Sequence, residues 1–142
     1  ELKVDKWIPS MHNKRDFEDD IPDLNHLPYL NHLEWLKTLS TFKYGIHLMP
    51  TIAAGTFSLN CAYFGIPCIG NNKVDTQRRC FPQLSVDVED VESARKLARR
   101  LADDSDFYHT QSETAKHNFK VFYSETEFKE KFNAFYKFYN TK

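Results

Sequence analysis

The stretch from Tyr44 to Gly70, YGIHLMPTIAAGTFSLNCAYFGIPCIG, constrains the fold more than any other part of the chain. Tyr44 to Met49 is a short, mostly apolar run closed by Pro50, and it reads as a strand. Thr56 to Phe64 carries Phe57, Leu59, Ala62, Tyr63 and Phe64 at spacings that give a broadly apolar helix. Gly65 stands where a left-handed helix stop is wanted, and Pro67 prevents continuation two residues later. Cys68-Ile69 then opens a second buried strand. So compact a strand–helix–strand unit implies parallel strands joined by a right-handed crossover.

In open α/β sheets, ligands sit beyond the carboxyl ends of strands, where the next helices begin. Here that place is Pro50 to Thr56. Ala53, Ala54 and Gly55 are small enough for a ligand to approach the backbone. The helix start supplies N–H groups and about half a positive charge, an anion site, and Thr56 and Ser58 add hydroxyls. The plainer alternative is a tight turn in which Thr56 merely caps the helix.

The flanking segments fit the same architecture. Leu2 to Ile8 alternates as a half-exposed strand does, whereas Met11 to Pro28 shows no sustained period and reads as a long loop, with a short strand near Asn25 to Leu27 as an option. Asn31 with Glu34 forms a capping box for a helix carrying Trp35, Leu36, Leu39 and Phe42. His32 flanks that face, and His47 reads as a satisfied strand residue in preference to a ligand. Asn71 to Gln83 is polar, with one helical turn at Val74 to Arg79, and Arg78 and Arg79 read as solvated in preference to phosphate-facing. Leu84 to Val88 is a further strand. Asp90 caps a helix with Val91, Ala94, Leu97, Ala98 and Leu101 on one stripe, and Ser105 or Asp106 starts another. Ser124 with Glu127 caps the last helix, which bears Phe128, Phe132, Phe135 and Phe138. This aromatic stripe is explained most simply by packing on the same chain; a membrane surface or partner domain is the alternative. The summed pattern is an α/β fold: one Rossmann-like three-layer sandwich over residues 1–142, with a parallel sheet and a helical C-terminal layer.

A net charge of −1 with interspersed signs gives no nucleic-acid footprint. No apolar run approaches the roughly 20 residues of a membrane helix. Cys61, Cys68 and Cys80 are an odd set without zinc-site spacing, so they read as reduced core residues of a cytoplasmic protein, with no metal.

Three segments together, LPYLNHLEWLKTLSTFKYGIHLMPT, AAGTFSLNCAYFGIPCIG and LSVDVEDVESARKLARRLADD, resemble the C-terminal, nucleotide-sugar-binding half of a GT-B-type glycosyltransferase. The resemblance runs from about Pro28 to Phe135. It implies that the donor's diphosphate is held at Gly55, Thr56 and Phe57, with Ser58 nearby, and that the base is framed by Pro28, Tyr29 and Leu30. A glutamate usual in that helix for the ribose is replaced by Asn60, and an earlier glutamate by Ile52. Lys14 and Arg15 are weak counterparts of the family's early basic pair, and the catalytic residues are unassigned. The resemblance further implies an N-terminal domain for the acceptor glycan or other hydroxyl acceptor, no cofactor beyond the nucleotide-sugar, and an isolated domain that does not turn over. A degenerate, non-catalytic binding or assembly module is the competing reading, and a flavodoxin-like signalling domain is disfavoured because Asp87 and Asp90 lack a matching late lysine. Replacing Gly55 with Val is expected to weaken nucleotide binding without unfolding the domain.

Overall fold

The computed structural model describes residues 5–9, 21, 23–50 and 55–140. Met11 to Asp20, with Lys14 and Arg15, and Thr51 to Ala54, with Ile52, lie outside the described residues. The chain forms two compact units, Glu1–Thr41 and Phe42–Lys142.

In the first unit, β1 (Lys6–Pro9) and β2 (Leu24–Leu27) pair in parallel, with Lys6 opposite Leu24 and Pro9 opposite Leu27. The optional strand near Asn25 is therefore real and one residue longer. Helix α1 (His32–Leu39) begins with both limbs of the expected capping box, since Asn31 Oδ1 accepts from the Glu34 N–H and Glu34 Oε2 accepts from the Asn31 N–H, each at 3.0 Å. It stops before Phe42. Ser40 Oγ donates to the Lys37 carbonyl at 2.7 Å and Thr41 Oγ1 to that of Thr38 at 2.8 Å, so side chains serve the last-turn carbonyls that further helix would have used.

The second unit is built on a parallel sheet in the order β3 (Gly45–His47), β4 (Cys68–Asn71), β5 (Ser85–Val86). Helix α2 (Thr56–Phe64) connects β3 to β4; α3 (Asp75–Cys80) and a 3-10 turn (Pro82–Leu84) connect β4 to β5. Three helices follow: α4 (Val91–Asp103), α5 (Ser105–Tyr123) and α6 (Glu125–Asn140). This is a Rossmann-like α/β layout with the expected helical C-terminal layer.

All four residues of β4 are buried. Because successive side chains of a strand point to opposite faces, both faces of the sheet are covered there, as a parallel sheet requires. The core gathers Cys61, Ile66, Cys68, Ile69, Val74, Cys80, Phe81 and Leu84 with Ala94, Leu101, Phe107 and Ala115 from the later helices. All three cysteines are free and buried. Their thiols are core groups: the Cys68 thiol is pushed well up by burial and by its neighbour Cys61.

Helix α2 ends as its sequence dictates. Gly65 is left-handed (φ 69°), its N–H bonds the Ala62 carbonyl, and the Ile66 N–H reaches the Cys61 carbonyl at 2.8 Å. A side chain at Gly65 would meet Lys116 Cε at 2.2 Å, and Ser112 Oγ of α5 donates to the Gly65 carbonyl at 2.6 Å. The missing Cβ is what lets α5 lie against the end of α2.

Candidate functional site

The carboxyl end of β3 and the start of α2 form the candidate site. Gly55 is the N-cap residue, left-handed at φ 73°, ψ 29°, and among the described residues no side chain caps the helix. Thr56 is the first helical residue and is exposed; it does not act as the cap, contrary to the plainer alternative. The first intrahelical bond runs from the Leu59 N–H to the Gly55 carbonyl at 3.0 Å. A helix start of this kind carries N–H groups beyond the reach of intrahelical carbonyls and a partial positive charge. The first turn holds no acidic residue to oppose an anion.

The shape of the turn is fixed from behind. Thr76 Oγ1, 8% exposed, donates to the Gly55 carbonyl at 3.0 Å. A Cβ on Gly55 would lie 1.8 Å from Thr76 Oγ1 and 2.7 Å from Val74 Cγ1. Both the positive φ and the lack of room demand glycine. Hence Gly55→Val disturbs folding itself, which overturns the expectation that the substitution would leave the fold intact.

The four residues around the turn differ in what they present. Ser58 is fully buried and its hydroxyl donates to Gln77 Oε1 at 2.8 Å, so that hydroxyl serves the core. Gln77 is itself buried and donates to the Cys68 carbonyl at 2.8 Å and to the Leu84 carbonyl at 3.4 Å. Phe57 is half-buried, its ring 5.5 Å from the His47 ring. Asn60, also half-buried, follows Thr56 by four residues and so shares its face of the helix. Pro28, Tyr29 and Leu30 belong to the other unit, where they link β2 to α1; Tyr29 is 83% exposed.

Two further residues stand at the ends of the strands, His47, which the sequence presents as a satisfied strand residue, and Asn71, which it does not single out. His47 Nδ1 is buried without a hydrogen-bond partner among the described residues, where a satisfied histidine was expected, and burial holds its pKa below 6.5. The imidazole is therefore kept neutral beside Phe57. Asn71, at the end of β4 and 1% exposed, donates from Nδ2 to the Met49 carbonyl at 2.9 Å and accepts from the Lys73 N–H at 2.9 Å. It ties the end of β3 to the turn after β4. The only sequence signal for it is an asparagine directly following a buried strand.

Arg78 and Arg79 form ion pairs with Asp75, at 3.1 and 2.9 Å, and Tyr123 donates to the same carboxylate at 3.2 Å. Both ion pairs lie within α3; the Tyr123 hydroxyl on Asp75 and the Arg79 guanidinium over the Phe122 ring, at 5.4 Å, join α3 to the end of α5. Among the described residues no group of three or more His, Cys, Asp or Glu side chains is placed to hold a metal ion, and no helix is long and apolar enough to cross a membrane. Comparison with known protein families, with curated proteins and with solved structures returns no match.

Proposed function

We propose that this chain is the nucleotide-sugar-binding domain of a glycosyltransferase of the GT-B type. The observation that carries the reading is the left-handed Gly55 opening a helix, with no acid in its first turn, after a parallel strand. In this reading the backbone at Gly55, Thr56, Phe57 and Ser58 holds the diphosphate, the Thr56 hydroxyl assists, and Asn60 takes a ribose hydroxyl. In the full enzyme an acceptor oxygen forms a bond to the anomeric carbon as the bond from that carbon to the diphosphate breaks. The acceptor hydroxyl loses its proton, and the nucleoside diphosphate leaves with the electron pair. The helix start stabilises charge developing on that leaving group. The protein that does this is a cytoplasmic one with an acceptor domain alongside.

A specific observation favours the second reading, a transferase-like module without catalysis. Ser58 spends its hydroxyl in the core, and Asn60 lacks the charge of the usual ribose-binding glutamate. Titration of the chain with UDP, GDP, ADP and CMP, followed by amide NMR, separates the two. Saturable shifts at Gly55 to Ser58 with one nucleotide are expected from the donor site. Silence with all four overturns the donor-site assignment for this chain.

A further inference from the structure

Helix α6 leaves five of its aromatic side chains exposed. Phe128, Phe132, Phe135, Tyr136 and Phe138 are between 56 and 66% exposed. At 3.6 residues per turn, Phe128, Phe132 and Phe135 share one strip, with Tyr136 along one edge and Phe138 along the other. The rings of Phe128 and Phe132 stack at 6.1 Å, and those of Phe132 and Tyr136 at 6.5 Å. The same two edges carry lysines. Lys129 lies beside the Tyr136 edge and Lys131 beside the Phe138 edge, steadied by Glu125 at 2.6 Å and Glu127 at 2.9 Å. Apolar surface on this scale marks a face that something covers.

We infer that α6 pairs with α6 of a second copy of this chain, antiparallel, about a two-fold axis passing between residues 133 and 134. Two features of the helix select this occupant. The first is charge. The three acids Glu125, Glu127 and Glu130 balance the three bases Lys129, Lys131 and Lys137, so the helix offers an anionic lipid surface no net attraction. In the antiparallel pair, by contrast, Phe132 meets Phe135 of the second copy. On the edges, Lys129 faces the second copy's Tyr136 and Lys131 its Phe138, each a cation over a ring. A parallel pair sets Lys129 against Ser124 and loses half of these contacts. The second feature is area. Five rings at these exposures offer roughly 600 Å² per chain, and about 1,200 Å² for the pair reaches the lower bound of specific interfaces. The pairing is isologous, so it closes at two copies.

Light scattering and sedimentation equilibrium on the full chain test this. The expected mass is twice 16.8 kDa at concentrations above about 10 µM. Phe132→Glu, at an exposed position that leaves the fold unaltered by circular dichroism, is expected to weaken the dimer at least tenfold. A nitroxide at Thr126→Cys should report a separation above about 20 Å from its symmetry mate, given 1.5 Å rise per residue. A 16.8 kDa species throughout the concentration range, or a dimer indifferent to Phe132→Glu, overturns the proposal. A label separation near about 10 Å overturns the antiparallel arrangement. A monomer that instead binds vesicles containing phosphatidylserine overturns self-association and assigns the stripe to lipid.

Discussion

Gly55 carries two burdens. It adopts a left-handed conformation, and Thr76 and Val74 fill the space its side chain would need. Gly55→Ala is therefore expected to destabilise the chain by about 2 kcal/mol or more, read as a lowered urea midpoint. Gly55→Val, with a branched side chain in the same place, should do worse. Any loss of ligand binding in these variants would follow from unfolding and says little about the site. Thr56 is the cleaner probe because it is exposed and first in the helix. Thr56→Glu places a carboxylate where a helix start favours negative charge, so the urea midpoint should hold or rise. The same carboxylate repels a diphosphate, so nucleotide affinity should fall at least about tenfold on the donor-site reading. Unchanged affinity in a well-folded Thr56→Glu protein would move the anion site away from α2.

The elements of the second unit were largely legible because each announces its ends chemically. Thr56 to Phe64 runs to Gly65 and Pro67; α4 starts behind Asp90, whose carboxylate accepts from the Ser93 N–H at 3.0 Å; α6 follows Ser124, whose hydroxyl accepts from the Glu127 N–H at 3.2 Å. Helix α5 starts at Ser105, the first of the two expected positions, behind Asp104, whose carboxylate accepts from the Phe107 N–H at 2.8 Å. Strand β5 is shorter than LSVDV suggested, because Pro82 to Leu84 closes into a 3-10 turn and only Ser85 and Val86 join the sheet. What periodicity could not show is polar side chains used inside. Gln77 sits in a run that reads as solvated, yet its amide links α2, β4 and the 3-10 turn through Ser58, Cys68 and Leu84. It also fills the space above Gly70, where a Cβ would meet its Oε1 at 2.5 Å. Gln77→Ala should then cost about 2–4 kcal/mol, by leaving Ser58 and the Cys68 carbonyl unpaired and opening a cavity. Urea unfolding checks this; a loss below about 0.5 kcal/mol would mean the amide contributes no more than a surface residue does.

At the scale of the whole molecule, the titrating groups divide into two sets with opposite effects. For Asp90 the Ser93 hydroxyl and then the Ser93 amide, and for Asp104 the Phe107 amide, hold the carboxyls below 3.8; for Asp75, hydrogen bonds from Arg79 and Arg78 outweigh the upward push of burial. Burial also holds His47 below 6.5. A group with a depressed pKa contributes stability above its ordinary value and loses it as the pH falls, so acid weakens the fold first through His47 and then through the carboxylates. The alkaline set works the other way. Burial, then the Asp75 charge, pushes Cys80 from 9.0 up to about 11 and Tyr123 from 10.0 up to about 12. These groups stabilise below their ordinary values and lose that contribution as the pH rises through the shifted ones. The urea midpoint should therefore be level between pH 6.5 and 9.0 and decline on both sides. Tyr123→Phe isolates one component, since it deletes the hydroxyl that donates to Asp75. The variant should be less stable than the parent below pH 10.0, and the gap should close as the pH approaches about 12. A gap that stays constant across that range would show that the Tyr123 hydroxyl titrates as it does in the unfolded chain. The bond to Asp75 would then hold α3 to α5 no more tightly than water does.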